Sequence, residues 1–163
     1  MKYQTRFDLN HLEQTCSLGN WMARGLRSGI HFTLDGPIGA GKTTLVKSII
    51  ESLGIASDWV DSPTFTLVHE YQTEIFRIFH IDLYRLGGRS QFEDLGLDEI
   101  LSDERTIFFV EWAYKVRDYL LFSPLIGIFI RMDTEYRRTA YFFSDDDESG
   151  FFFDHLAKLE LTS

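Results

Sequence analysis

Cysteine is nearly absent from this chain. Cys16 is the single one in 163 residues, which excludes an intrachain disulfide framework and any cysteine-based metal cluster. No run of eighteen apolar residues occurs, so no membrane-spanning helix is expected. Residues 1–6 carry no apolar signal segment, and a cytoplasmic protein is the expectation. Basic charge is also scarce: 16 Lys and Arg stand against 25 Asp and Glu, a formal net charge of −9. Broad, non-specific binding of nucleic acid takes clustered cations and is not expected here. A role in nucleic-acid metabolism through partner proteins stays open. Internal repeats, low-complexity tracts and linkers are missing too, so residues 1–163 read as one domain.

What the chain does have is a glycine-rich loop. Gly36-Pro37-Ile38-Gly39-Ala40-Gly41-Lys42-Thr43 fits G-x-x-x-x-G-K-S/T, the phosphate-binding loop of nucleoside triphosphatases. Glycines let successive backbone N–H groups turn toward one point, and the helix that follows adds the positive end of its dipole. In such a loop Lys42 reaches the β- and γ-phosphates and the Thr43 hydroxyl ligates Mg²⁺. The flanks agree with the motif. Residues 30–34 are apolar and β-rich, and residues 44–53 carry apolar side chains at helical spacing before Gly54. The pattern predicts strand, loop and helix, within an α/β fold.

Two acids end predicted strands. Residues 76–81 alternate and lead into Asp82; residues 106–110 form a continuous apolar run that leads into Glu111. Acids at the carboxyl ends of strands in α/β folds point into the ligand crevice. Asp82 is therefore a candidate to hold Mg²⁺ or orient water, with a plain turn or capping role as the alternative. Glu111 closes a Walker B pattern and is the second candidate for metal or water. Trp112 follows at the rim of the same crevice, as a wall of the site or as packing. His80 shares a face with Asp82 and reads as a hydrogen-bonding structural histidine rather than a metal ligand.

Elsewhere the chain is less pointed. Residues 9–28 read as a helix with Leu12, Thr15, Cys16, Gly19, Met22, Ala23 and Leu26 near one face and Gly29 as its stop. The segment Ser62-Pro63-Thr64-Phe65-Thr66 reads as a loop. It is either a sensor of the γ-phosphate or a polar turn entering the strand at residues 67–71. Residues 87–90 break the chain, and Ser90 with Glu93 has capping-box spacing ahead of a short amphipathic piece. A short helix is expected at 114–122, strands at 125–132 and 139–143, and a closing helix at 151–161. The acids of 145–148 lack the spacing of a calcium loop and read as a solvated connection.

Five blocks, in this order, resemble the TsaE family of small bacterial P-loop ATPases in tRNA threonylcarbamoyladenosine biosynthesis. They are GPIGAGKTT (36–44), SPTFTLVHEY (62–71), HIDLYRL (80–86), EDLGLDEI (93–100) and VEW (110–112). The resemblance implies one P-loop NTPase domain built on a mixed, mostly parallel sheet flanked by helices. It implies weak ATP hydrolysis that supports the TsaB–TsaD complex, tRNA being met only indirectly and no membrane at all. Carried onto this chain, it puts Ile38, Gly39, Ala40, Gly41, Lys42 and Thr43, with Thr44 beside them, around ATP. Thr43 and Glu111 fall at Mg²⁺, with Asp82 in the catalytic crevice and Trp112 next to it. Lys42, Asp82 and Glu111 are the implied catalytic set. Thr15 matches a hydroxyl position near the nucleotide, and Arg137 or Arg138 a basic one. Pro37 stands where relatives often carry an acid, and the Phe-rich stretch 142–153 has no counterpart in the resemblance. On the P-loop alone a small-molecule kinase or a nucleotide-dependent binding module competes. A guanine-reading GTPase fits worse, because no Asn follows Asn20 and no T-K-x-D occurs.

Overall fold

Period-two patterning and β-branched or aromatic content make the strands of this chain, and glycines punctuate them. In the computed structural model these strands form one seven-stranded sheet. The structure describes residues 1–56, 67–86, 92–96, 100, 103–116, 118, 120 and 124–159. In chain order the elements are β1 (Tyr3–Leu9), α1 (Leu12–Arg24), β2 (His31–Asp35), α2 (Lys42–Ser52), β3 (Val68–Gln72), β4 (Arg77–Asp82), β5 (Thr106–Glu111), β6 (Leu125–Met132), β7 (Arg138–Ser144) and α3 (Gly150–Leu156). Short 3₁₀ turns lie at Ala113–Lys115 and Asp147–Ser149.

The strand order is β1-β7-β6-β2-β5-β4-β3. β6, β2, β5 and β4 run parallel, while β3 joins β4, β7 joins β6 and β1 joins β7 in antiparallel fashion. Strands β1, β2, β4, β5 and β6 therefore point one way and β3 and β7 the other, a mixed sheet of three parallel and three antiparallel pairings. β5 is buried at every position, as a central parallel strand must be, which is why it reads as an unbroken apolar run. Alternation across the sheet separates two cores. Phe32, Leu34, Ile107 and Phe109 face α1, α2 and α3, whereas Phe108 and Val110 face Phe79, Ile81, Leu86 and Phe92 on the far side. Each fully buried Phe or Leu contributes about 2–3 kcal/mol by area removed from water.

Several boundaries differ from the sequence reading. The predicted helix 9–28 is α1, only Leu12–Arg24, because residues 3–9 are an edge strand that the reading missed. Asn10 N–H donates to Gln14 Oε1 at 2.7 Å and fixes the changeover from strand to helix. Leu12, expected on the apolar face, is exposed. Gly25 rather than Gly29 caps the helix; Gly29, at φ 79°, turns the chain into β2. The closing helix ends at Leu156, not at 161, and residues 160–163 lie outside the described part. Of the helix expected at 114–122, the described residues show the 3₁₀ turn at Ala113–Lys115. The loop 62–66, the break 87–90 and the Ser90 cap also lie outside the described residues.

The Phe-rich end has a structural part. Phe152 packs edge-on to Phe32 (5.2 Å between centroids), Phe153 stacks on Tyr3 (5.4 Å), and the Phe143 ring fills the space over Gly127.

Candidate active site

The loop between β2 and α2 holds its shape because three of its residues have no side chain. Gly36, Gly39 and Gly41 sit at φ 142°, 77° and 98°. At Gly36 a Cβ would stand 2.3 Å from the Ile130 carbonyl oxygen of β6, so the loop is pressed against the neighbouring strand. α2 begins at Lys42 with Gly41 as its cap and no side-chain acceptor on its first amides, which leaves them to an anion.

Lys42 is 4% exposed. Its Nζ donates to the carbonyls of Gly36 and Pro37, both at 2.9 Å, and lies 3.9 Å from the centroid of the Trp112 ring. Burial lowers its pKa from the ordinary lysine value, opposed by the charges of Glu111, Asp82 and Asp35. The Trp112 ring can reach over the loop because its backbone turns sharply after Glu111. Trp112 is the only non-glycine with positive φ among the described residues (59°), a conformation that costs an L-residue about 1–2 kcal/mol. Its N–H still donates to Leu34 O at 2.9 Å. The rim continues through Tyr84 and Tyr114, whose rings lie 5.1 and 6.1 Å from Trp112.

Behind the lysine, one carboxylate gathers the second residue of α2 and a strand histidine. Thr43 Oγ1 donates to Glu111 Oε1 at 2.8 Å, and His80 Nε2 lies 2.7 Å from the same oxygen. Asp82 is the cross-strand partner of Glu111 in the β4–β5 register. It is half-buried, and its Oδ1 accepts the Tyr84 N–H at 2.9 Å. Burial raises its pKa above the usual carboxylate value, and Glu111 adds to this; the Tyr84 N–H, His80 and Lys42 act the other way. Among the described residues no three His, Cys, Asp or Glu side chains converge on one point. The Thr43 hydroxyl with Glu111 and Asp82 therefore fits Mg²⁺, a cation that keeps several waters and takes phosphate oxygens beside one or two carboxylates. It does not fit an all-protein metal cage.

The structure thus brings Lys42, Thr43, Asp82, Glu111 and Trp112 together at the carboxyl ends of the parallel strands. Ile38, Gly39, Ala40 and Gly41 form the loop above them, and Thr44 follows in the first turn of α2. Thr15 is 5% exposed on α1. α1 follows β1 and α2 follows β2, strands that point the same way, so both helices return along the sheet in the same direction, with Gly19 packed on Ser48. Thr15 therefore lies one turn back from Gly19, level with the start of α2. Of the two arginines, Arg138 meets the loop: its Nη2 donates to Gly39 O at 3.2 Å. Arg137 is exposed and lines an outer groove with Arg6, Asp8 and Asp133. Asp35 was missed by the sequence reading, although it ends β2 as Asp82 ends β4; its Oδ1 accepts the Tyr114 N–H at 3.2 Å.

The family model described as "Threonylcarbamoyl adenosine biosynthesis protein TsaE" matches residues 9–140. The chain is similar to the tRNA threonylcarbamoyladenosine biosynthesis protein TsaE of Bacillus subtilis (strain 168), 40% identical over 108 residues that span 66% of each chain. It is 33% identical to the protein of the same name from Rickettsia felis over 141 residues, 86% of this chain and 81% of that one. Its fold is similar to the crystal structure of Bacillus subtilis YdiB, with a TM-score of 0.78, 28% identity and 97% of both chains covered.

Proposed function

This chain belongs to the TsaE family, and we propose that it binds and hydrolyses ATP as an accessory protein of threonylcarbamoyladenosine formation at A37 of tRNA, acting with TsaB–TsaD. The observation that carries the ATPase reading is the convergence of the Thr43 hydroxyl and the Glu111 carboxylate at 2.8 Å, directly beside the P-loop lysine. The loop amides and the first amides of α2 bind phosphate oxygens. Lys42, with Gly36 O and Pro37 O as its resting partners, turns its ammonium toward the charge spreading on the γ-phosphate. Thr43 and Glu111 would hold Mg²⁺, which would supply positive charge against the charge developing on the phosphate oxygens. Asp82, whose raised pKa reflects burial, orients water from the neighbouring strand end. The Trp112 ring shields the lysine from bulk solvent. Thr15 lies level with the start of α2 and serves the nucleotide there, and Arg138 takes the basic role that the resemblance leaves between Arg137 and Arg138. The site asks nothing of a membrane, and among the described residues no helix is long and apolar enough to cross one.

The test is phosphate release from ATP in the presence of Mg²⁺. Slow turnover that rises when TsaB–TsaD is added is expected, and Lys42→Ala should lose about a hundredfold or more. Undiminished turnover by Lys42→Ala would overturn the assignment. Nucleotide binding with no stimulation by the partners would remove the accessory role.

A further inference from the structure

Glu111 is gripped from two sides. Thr43 approaches Oε1 from the helix, and His80 approaches the same oxygen from the neighbouring strand at 2.7 Å. His80 is 0% exposed and Glu111 2%. An ionised carboxylate has only acceptors, so the hydrogen of this bond sits on His80 Nε2. Nδ1 lies on the other side of the ring. It is the one buried side-chain nitrogen or oxygen without a hydrogen-bond partner among the described residues. A buried polar atom with no partner is unfavourable. An apolar side chain such as its strand neighbours Ile78 and Ile81 would fill the volume without that penalty. Packing thus fails to account for an imidazole here, and the bond to Glu111 accounts for it.

Glu111 also needs such a donor. It stands directly opposite Asp82 across the parallel pair, and like charges placed so repel. A glutamate has three side-chain torsions, and a strand end does not fix them by itself. Two donors on Oε1 fix the carboxylate plane and direct Oε2 away from Thr43 and His80.

We propose that His80 is a positioning residue: through Nε2–H it locks the Glu111 carboxylate in the orientation that serves the divalent cation. This rests on the reading of Thr43 and Glu111 as the Mg²⁺ pair.

Calorimetry with ADP, in Mg²⁺ and in EDTA, gives the factor by which metal strengthens nucleotide binding. Each variant's affinity without metal serves as its own reference. Glutamine can present an amide N–H near the place of Nε2; leucine cannot. The expected result is that His80→Leu loses about tenfold of the metal effect while His80→Gln recovers most of it. A purely structural histidine would lower the melting temperature in both variants and leave the metal effect alone. An unchanged metal effect in His80→Leu, or an equal loss in both variants, overturns the inference. If the wild type itself shows no metal effect, the Mg²⁺ reading fails first and takes this inference with it. An independent check needs no variant: ¹⁵N spectra of the wild-type ring should show the proton on Nε2, and a ring protonated on Nδ1 alone would refute the assignment.

Discussion

At the scale of single residues, burial decides which groups respond to pH. His31 lies at the start of β2, and burial pulls its pKa from 6.5 down to about 4. Its Nδ1 accepts the Phe108 N–H at 3.3 Å, a role open only to the unprotonated nitrogen. The unfolded chain binds a proton below its own pKa of about 6.5, while the folded chain resists until about 4. Stability from this residue is therefore complete above about 6.5 and drains away as the pH falls toward about 4. The gap corresponds to about 3 kcal/mol. Denaturant midpoints taken from about pH 7 to about pH 4 should fall more steeply in the wild type than in His31→Leu, by roughly that amount. Parallel slopes would show that His31 titrates normally. Lys42, Thr43, Asp82 and Glu111 were legible in the sequence, because a loop motif and strand-end positions fix them through local chain geometry alone. The choice between Arg137 and Arg138 was not legible. It depends on which of two neighbouring side chains faces a loop nearly a hundred residues away, and in the structure Arg138 is the one that donates to Gly39 O. The left-handed turn at Trp112 left no trace in the sequence either, since no glycine or asparagine marks it.

At the scale of elements, the parts whose ends carry turn chemistry were legible. β2, the P-loop and α2 are bounded by glycines, and β6 falls on the residues expected of it. α1 was drawn too long because Leu9 and Leu26 continue its apolar spacing, though one ends a strand and the other follows the cap. The clue was the alternation of Tyr3, Thr5, Phe7 and Leu9 with polar residues, a period of two that no helix shares. The contact between the P-loop and β6 has a testable consequence. Gly36→Ala combines a φ of 142° with a Cβ 2.3 Å from a backbone oxygen, which cannot swing away as a side chain could. We expect this change to destabilise the fold by about 2–4 kcal/mol and to weaken nucleotide binding as well. Gly39→Ala meets no neighbour within 4 Å, so it should cost about 1–2 kcal/mol, that of its positive φ alone. Equal losses in the two variants, read from urea unfolding, would mean that the strand is not what restricts Gly36.

At the scale of the whole molecule, one buried lysine and a loop of inward-turned amides are set in an acidic body. In the function proposed above the loop amides and Lys42 take the phosphates, while the net charge of −9 repels polyanions approaching elsewhere. The chain alone should therefore show no retention of tRNA in a filter assay at about 0.15 M salt, where Debye screening acts over about 8 Å. Tight binding that weakens steeply with salt would reverse the view that tRNA is met through partners. The sheet also joins segments far apart in the sequence: β1 pairs with β7 from Tyr3 opposite Ser144 to Leu9 opposite Arg138, and Met1 and Lys2 pair with Asp145 and Asp147. On the ribosome, the first strand emerges long before the one it pairs with. At roughly 5–20 residues per second it waits on the order of ten seconds, with Tyr3, Thr5, Phe7 and Leu9 still uncovered. The P-loop and both strand-end acids are translated within that wait. The nucleotide site is thus complete in sequence before β1 can take its place beside β7 and close the sheet that frames it.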